Sequence, residues 1–263
     1  MESPIRKTLE YFDKYDYPLT KKELELWISP VSPSSVPPLN LRGGRSRGVI
    51  YKDGYFFLKN RNNLINIRKL REKYSIPKWK IAHDAANKLS KISFVEAIFV
   101  TGSLSMSNCK KNDDIDLMII TKPDTLWITR FVTTLMFWKN RRLPGQKTAP
   151  NKICTNLWLD IKNLKLKIKN LYIAHEILQA KCIYNKNNTY ANFLYQNSWV
   201  KEYLPNAYKY QISNIKKQKY ILKISKFFAI CNLIFYFVQY LYMLPKMKNE
   251  KVGLGYAFFH PSP

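Results

Sequence analysis

The sequence predicts an α+β fold in which a mixed sheet with flanking helices forms the central part of the chain. The apolar runs over residues 94–100 and 115–120 are short and nearly uninterrupted, as in strands that are buried on both faces. Helical periodicity stands on both sides of these runs, and 46% of the 263 residues are hydrophobic, which is enough for a sizeable core. We expect three parts: residues 1–75, 76–170 and 171–263.

Two short helices are predicted at the N-terminus, within residues 3–29. The first carries apolar side chains on one face, with Leu9 at its centre. Thr20 and Glu23 have the spacing of a capping box, which predicts the start of the second helix. Pro30 ends that helix.

The rest of the first part is predicted to be a loop followed by a β-hairpin. Residues 30–47 are rich in Pro, Ser, Gly and Arg, which is typical of a mobile loop. Asp53 and Gly54 are favoured turn residues between two aromatic strand segments over residues 49–58. Two helices and a hairpin predict a winged-helix-like module in residues 1–75, with the loop in place of the usual third helix.

Periodicity and segment length predict the remaining elements. A helical pattern covers residues 62–92, and we expect a break at Ile76 and Pro77, since proline disrupts helix hydrogen bonding. From Tyr172 onward the pattern is helical throughout, so the third part is predicted to be helical. Other predicted elements are a helix over 124–140, a third strand over 153–160 and a possible fourth strand over 164–168.

The residues with the clearest chemical signal lie between positions 98 and 121. A hydrophobic strand leads into Gly102 and Ser103, and the next apolar strand contains Asp114 and Asp116. Side chains alternate along a strand, so the two carboxylates face the same way. Adjacent carboxylates repel each other unless a divalent cation lies between them, and their oxygens suit Mg²⁺ or Mn²⁺. The Gly-Ser turn lets backbone N–H groups and a hydroxyl approach phosphate oxygens.

This segment resembles the metal-binding core of the nucleotidyltransferase superfamily, which includes DNA polymerase β, tRNA CCA-adding enzymes and aminoglycoside adenylyltransferases. The match lies in Gly102, Ser103, Asp114 and Asp116 and in the strand–turn–strand context. The whole chain resembles bacterial nucleotidyltransferase-domain proteins with a winged-helix-like N-terminus. The resemblance implies a polymerase-β-like core and transfer of NMP from an NTP such as ATP to an acceptor hydroxyl, with release of pyrophosphate.

The resemblance also implies a third carboxylate on a later strand. Asp160 is the candidate, and it would complete the metal site and help to activate the acceptor. Period-two alternation places Asn156, Trp158 and Asp160 on one face, so Asn156 could occupy this position instead. Without a third carboxylate the protein could bind nucleotide and not transfer it.

A net charge of +26 predicts attraction to polyanions, so nucleic acid is a possible partner beside the NTP substrate. The rival function is a non-catalytic nucleic-acid-binding regulator that has kept the nucleotidyltransferase fold. The basic residues Lys139, Arg141, Arg142 and Lys147 could bind triphosphate or an acceptor, although a solvated charged surface is the simpler interpretation. The four cysteines show no CxxC spacing, which excludes an obvious zinc site and fits a cytoplasmic protein.

Residues 227–244 form an uncharged apolar stretch that is just long enough to cross a bilayer. A membrane-associated protein is therefore a third possibility. Asn232 and Gln239 would both have to enter lipid in a spanning helix, so we expect no membrane span. The two amides are seven residues apart and share a face, which we expect to contact a polar cleft or solvent. The apolar residues would then cover the core.

Overall fold

The computed structural model describes residues 3–28, 48–146, 148–213, 215, 226–247 and 250–259. The predicted loop over residues 30–47 and Lys147 lie outside these residues. The described chain is a mixed α+β protein with a three-stranded and a six-stranded sheet. It divides into two compact units. The first unit comprises Met1–Lys73, Ile168–Leu178 and Ser198–Ile215, and the second comprises Tyr74–Lys167, Gln179–Asn197 and Lys216–Pro263.

The helices are α1 (Pro4–Asp13), α2 (Lys21–Trp27), α3 (Leu64–Leu89), α4 (Gly102–Ser105), α5 (Leu126–Met136), α6 (Leu171–Gln179), α7 (Thr189–Gln196), α8 (Pro205–Ser213) and α9 (Lys226–Met243). The strands are β1 (Leu19–Thr20), β2 (Val49–Lys52), β3 (Tyr55–Leu58), β4 (Val95–Val100), β5 (Ile115–Thr121), β6 (Ile153–Asp160), β7 (Lys181–Asn185), β8 (Lys251–Gly253) and β9 (Tyr256–Phe258).

The first unit contains the predicted helices and hairpin. The capping box of Thr20 and Glu23 is present at the start of α2, which confirms that prediction. Strands β2 and β3 pair in antiparallel register around the predicted turn, and β1 pairs with the other side of β3. Inside this unit, the His175 ring of α6 stacks on the Tyr11 ring at a centroid distance of 3.9 Å.

The second unit is built on the six-stranded sheet, in the order β7-β4-β5-β6-β9-β8. Strands β5 and β6 are parallel, and the other neighbours are antiparallel, so the sheet is mixed as predicted. All residues of β4 are buried, and those of β5 are buried except Asp116, which is half-buried. This burial explains the two apolar runs in the sequence, since both strands lie inside the sheet and pack on both faces.

Three predictions about elements in this part of the chain were wrong. Helix α3 runs through Pro77 without a break. The contacts beside the proline hold the helix in place, because the Lys78 ammonium donates to the Asp113 carbonyl and the Ser75 hydroxyl accepts from the Cys109 amide. Residues 164–168 form no strand. The region after Tyr172 is not wholly helical, because β7 pairs with β4 and β9 pairs with β6. Tertiary pairing with these strands outweighs the local helical pattern.

Helix α9 forms as predicted, but it faces the opposite way. Asn232 and Gln239 are buried against α5: the Asn232 side chain accepts from the Trp127 amide, and the Gln239 side chain donates to the Trp127 carbonyl. The apolar residues on the other side are exposed, so they do not cover the core. The segment Phe227–Lys246 has a mean hydropathy of 1.7 and is long and apolar enough to cross a membrane by length and composition.

Candidate metal and nucleotide site

Two neighbouring strands bring the predicted site residues together. Asp116 lies on β5, and Asp114 immediately precedes that strand. The adjacent strand β4 ends at Val100, where the Thr101 amide donates to the Asp116 carbonyl at 3.0 Å. The chain then turns at Gly102 into the short helix α4. Strand pairing therefore places the Gly-Ser turn directly beside the carboxylate pair.

Gly102 is required at this turn for two reasons. Its φ is +60°, a left-handed backbone conformation that residues other than glycine rarely adopt. A Cβ at this position would also lie 2.6 Å from Oδ2 of Asp116, well inside contact distance. The backbone of the turn therefore packs closely against the Asp116 carboxylate.

The Ser103 side chain is engaged within the loop that joins the two strands. Its hydroxyl donates to Oδ2 of Asp113 at 3.2 Å and lies 3.3 Å from the Cys109 sulfur. Asp113 also accepts from the Lys110 amide at 2.8 Å. From behind the loop, the buried Lys78 ammonium donates to the Asp113 carbonyl at 2.6 Å. These bonds fix the loop, and the Ser103 hydroxyl already has an acceptor within it.

Asp114 forms an ion pair that the sequence did not indicate. Nη1 of Arg142 donates to Oδ2 of Asp114 at 2.9 Å, and the Asp114 side chain is largely buried while that of Arg142 is part-exposed. Burial alone would lower the pKa of Arg142, but the hydrogen bond and the charge of Asp114 raise it above its usual value. The sequence favours a solvated basic run that includes Arg142, because residue spacing gives no sign of a contact across 28 positions.

Cys154 is a further neighbour that sequence reasoning missed. One ligand atom each of Asp114, Asp116 and Cys154 lies within 4.8 Å of the other two. Burial raises the pKa of the Cys154 thiol, and the negative charges of the two carboxylates raise it further. The residue is therefore a neutral thiol at neutral pH. Its position was visible in the alternation of β6, since it precedes Asn156 by two residues.

Asn156 lies in the position that was considered for a third carboxylate. Its Nδ2 donates to Oδ1 of Asp116 at 2.9 Å. Its own Oδ1 is buried and has no hydrogen-bond partner among the described residues. A buried amide oxygen without a partner is costly, and a bound cation would satisfy it.

The structure does not bring Asp160 to the pair, which corrects the predicted site. Cys154 is the register partner of Asp116, whereas Asp160 is the partner of Thr121, about 16 Å further along the strands. A register shift between Asp116 and Met118 also breaks the alternation, so Asp160 points to the opposite face of the sheet from Asp116. Asp160 accepts instead from the Lys162 amide and the Asn163 side chain. Burial raises the pKa of the Asp160 carboxyl, although these two hydrogen bonds lower it.

The residues that are present fit a hard divalent cation. Asp114 and Asp116 supply carboxylate oxygens, and the unpaired Asn156 oxygen supplies a neutral one, which is the ligand type that Mg²⁺ and Mn²⁺ prefer. A thiol is a soft ligand that these hard ions bind poorly, so the carboxylates and the Asn156 oxygen fit them better than Cys154 does. The site has two carboxylates and lacks the third that was predicted.

No family model matches this chain, and no curated protein matches it. Among solved structures, the chain is similar to one described as "Crystal structure of the toxin-antitoxin with AMP-PNP". The likeness covers 50% of this chain and 95% of that chain, at 13% sequence identity and a TM-score of 0.28. Chains with a similarity this low need not share a fold.

Proposed function

We propose that this chain is a metal-dependent nucleotidyltransferase that moves NMP from an NTP to an acceptor hydroxyl and releases pyrophosphate. The observation that carries the proposal is the contact between the Gly102 turn and the Asp116 carboxylate. It puts a backbone that can bind phosphate beside ligands that can hold a metal. In this proposal the second unit is a polymerase-β-like core, and the helices and hairpin of the first unit are a winged-helix-like module.

The chain's own residues have defined roles in the proposed reaction. Asp114 and Asp116, with the Asn156 oxygen, would hold Mg²⁺ or Mn²⁺, and the backbone at Gly102 and Ser103 would bind the triphosphate. When bound, the metal would neutralise charge on the phosphates and lower the pKa of the acceptor hydroxyl. Arg142 lies beside Asp114 and would move to a phosphate oxygen when the nucleotide enters.

The bond changes follow from the products. The acceptor oxygen forms a bond to the α-phosphorus, and the bond from that phosphorus to the β-bridging oxygen breaks, with its electron pair leaving on pyrophosphate. Because Asn156 has no basic atom where a third carboxylate was expected, the acceptor proton would pass to solvent.

The test is transfer of label from α-labelled NTPs, with total cell extract as the source of acceptors. Asp114→Asn and Asp116→Asn should each reduce incorporation to background while leaving the protein folded. Asp124→Asn is the matched control, since Asp124 is a carboxylate of the same unit that pairs with Lys162 away from the site. Wild-type turnover by both site variants with Mg²⁺ would contradict the catalytic function.

A second function is favoured by the asparagine at the third position. A chain without a general base could bind NTP or nucleic acid and act as a regulator, and the net charge of +26 suits a polyanion partner. Mg²⁺-dependent NTP binding with no transfer to any acceptor in the extract would support this function over the first.

A further inference from the structure

The outward side of α9 is an apolar stripe in which every residue is at least half exposed. At 100° per residue, the stripe lies opposite the inward positions Asn232 and Gln239. Its residues are Phe227, Ile230, Ile234, Phe237, Val238 and Leu241; Tyr242 flanks the stripe, and Leu244 follows it in the turn after the helix. Exposed apolar surface of this extent is unusual on a protein that contacts only water.

Helix α5 extends the stripe on one side. Phe131 of α5 and Phe235 of α9 contact each other, with ring centroids 4.9 Å apart. The exposed apolar residues contributed by α5 and the turn after it are Phe131, Val132, Leu135, Met136 and Trp138. We call the exposed apolar side chains of both helices the apolar face.

Polar side chains hold this arrangement from the inside. The Asn232 oxygen accepts from the Trp127 amide at 2.7 Å, and the Gln239 nitrogen donates to the Trp127 carbonyl at 2.8 Å. The Gln239 oxygen accepts from Arg130. The polar side of α9 is thus bound to protein and its apolar side points outward, the reverse of a surface helix in a water-soluble domain.

Aromatic and basic residues lie at one end of the apolar face. The Arg141 guanidinium lies 4.9 Å from the centre of the Trp138 ring, and the Lys246 ammonium lies 3.5 Å from that of Tyr242. No acidic residue occurs between positions 125 and 159 or between positions 203 and 249. Aromatic rings beside cations are typical of protein surfaces at the headgroup level of a membrane, and the absence of acidic residues favours anionic lipid.

We propose that the protein binds the surface of an anionic lipid bilayer through the apolar face, with α9 lying in the plane of the membrane. The apolar side chains would enter the boundary between headgroups and acyl chains, and the basic end would contact lipid phosphates. The helix does not cross the bilayer, because crossing would break the hydrogen bonds of Asn232 and Gln239 to α5 and bury both amides in lipid.

The experiment is flotation of the purified full-length protein with vesicles of phosphatidylcholine alone or of phosphatidylcholine with phosphatidylglycerol. We expect the protein to float with the anionic vesicles and to bind the neutral ones more weakly. Leu241→Glu should weaken binding to anionic vesicles by about tenfold or more. It replaces an apolar side chain that would enter the lipid by a negative charge that anionic headgroups repel.

Ile76→Glu is the matched control, because Ile76 is 69% exposed and Leu241 is 66% exposed, but Ile76 belongs to α3 and is not part of the apolar face. It should float like the wild type, and circular dichroism of both variants should match that of the wild type. Three results would overturn the proposal: no flotation with anionic vesicles, equal loss in both variants, or a lipid-free dimer that Leu241→Glu disrupts. The last result would assign the apolar face to a second copy of the chain.

Discussion

Nη1 of Arg142 lies 2.9 Å from Oδ2 of Asp114, so a cation of the protein already neutralises one of the two predicted metal ligands. In the proposed function, the guanidinium and an incoming metal would compete for the same carboxylate oxygen. The Arg142 side chain is part-exposed, which leaves it room to turn toward a nucleotide phosphate.

Replacing Arg142 by glutamine should therefore strengthen metal binding in the absence of nucleotide. A partly exposed ion pair of this kind contributes little, so we expect about two- to fivefold tighter binding of Mn²⁺ by titration calorimetry. Lys162→Gln is the control, since it removes the same charge from the ion pair with Asp124 outside the site. Equal affinities in wild type and Arg142→Gln would show that Asp114 does not ligate the metal.

A methyl group at position 102 should damage the site more than the fold. Gly102→Ala places a Cβ 2.6 Å from the Asp116 carboxylate and strains a φ of +60°, so we expect loss of metal-dependent NTP binding and about 1–2 kcal/mol of destabilisation. Gly54→Ala separates the two effects, because Gly54 has a φ of +86° and no atom within 4 Å of the added Cβ. The control should lose similar stability and keep NTP binding. If both variants bind alike, the turn is not part of the site.

Divalent metal together with a non-hydrolysable NTP should raise the melting temperature. A ligand that binds only the folded state at a hundred times its Kd adds about 2.7 kcal/mol, which corresponds to a rise of about 5 °C or more for a chain of this size. Asp116→Asn should remove the shift seen by scanning calorimetry. No shift at millimolar Mg²⁺ and NTP would count strongly against a nucleotide site.

Acidification should destabilise the first unit through His175. Burial among aromatic rings lowers the pKa of His175 to about 3, below the usual value of 6.5. Between pH 6.5 and 3, His175 is therefore protonated in the unfolded chain and neutral in the folded chain. The free energy of unfolding falls as the pH drops through this window. We expect a loss on the order of 3 kcal/mol at pH 4 from this group.

Denaturant unfolding at several pH values measures this effect. His175→Phe keeps an aromatic ring against Tyr11 and should flatten the pH dependence in this window. An unchanged slope in the variant would assign the acid sensitivity to other groups.

The strongest parts of the sequence prediction were those encoded locally. The capping box of Thr20 and Glu23, the hairpin turn at Asp53 and Gly54, and the buried strands β4 and β5 depend on neighbouring residues and on period-two burial. The same alternation predicted that Asp114 and Asp116 face the same way. None of these features needed knowledge of which distant strands pair, whereas the place of the carboxylates beside the Gly102 turn depends on the pairing of β4 with β5.

The predictions that failed depended on long-range contacts. The resemblance made Asp160 the candidate for a third carboxylate on a later strand, and one register shift puts it on the face opposite Asp116. The ion pair of Arg142 with Asp114 joins residues that no periodic pattern relates. The direction of α9 was predicted from the cost of burying amides, but hydrogen bonds to Trp127 offset that cost.

The pairing of β6 with β9 also bears on how the protein reaches its native state. Leu157 and its partner Phe258 are about a hundred positions apart, so the loop that closes on pairing is long and its formation is slow. Until then β6 has an open edge of unpaired N–H and C=O groups, which can recruit a strand from another molecule. A refolding protein would therefore be most prone to aggregation during the interval before β9 docks, and an added β9 peptide that pairs with the edge of β6 should reduce aggregation in that interval.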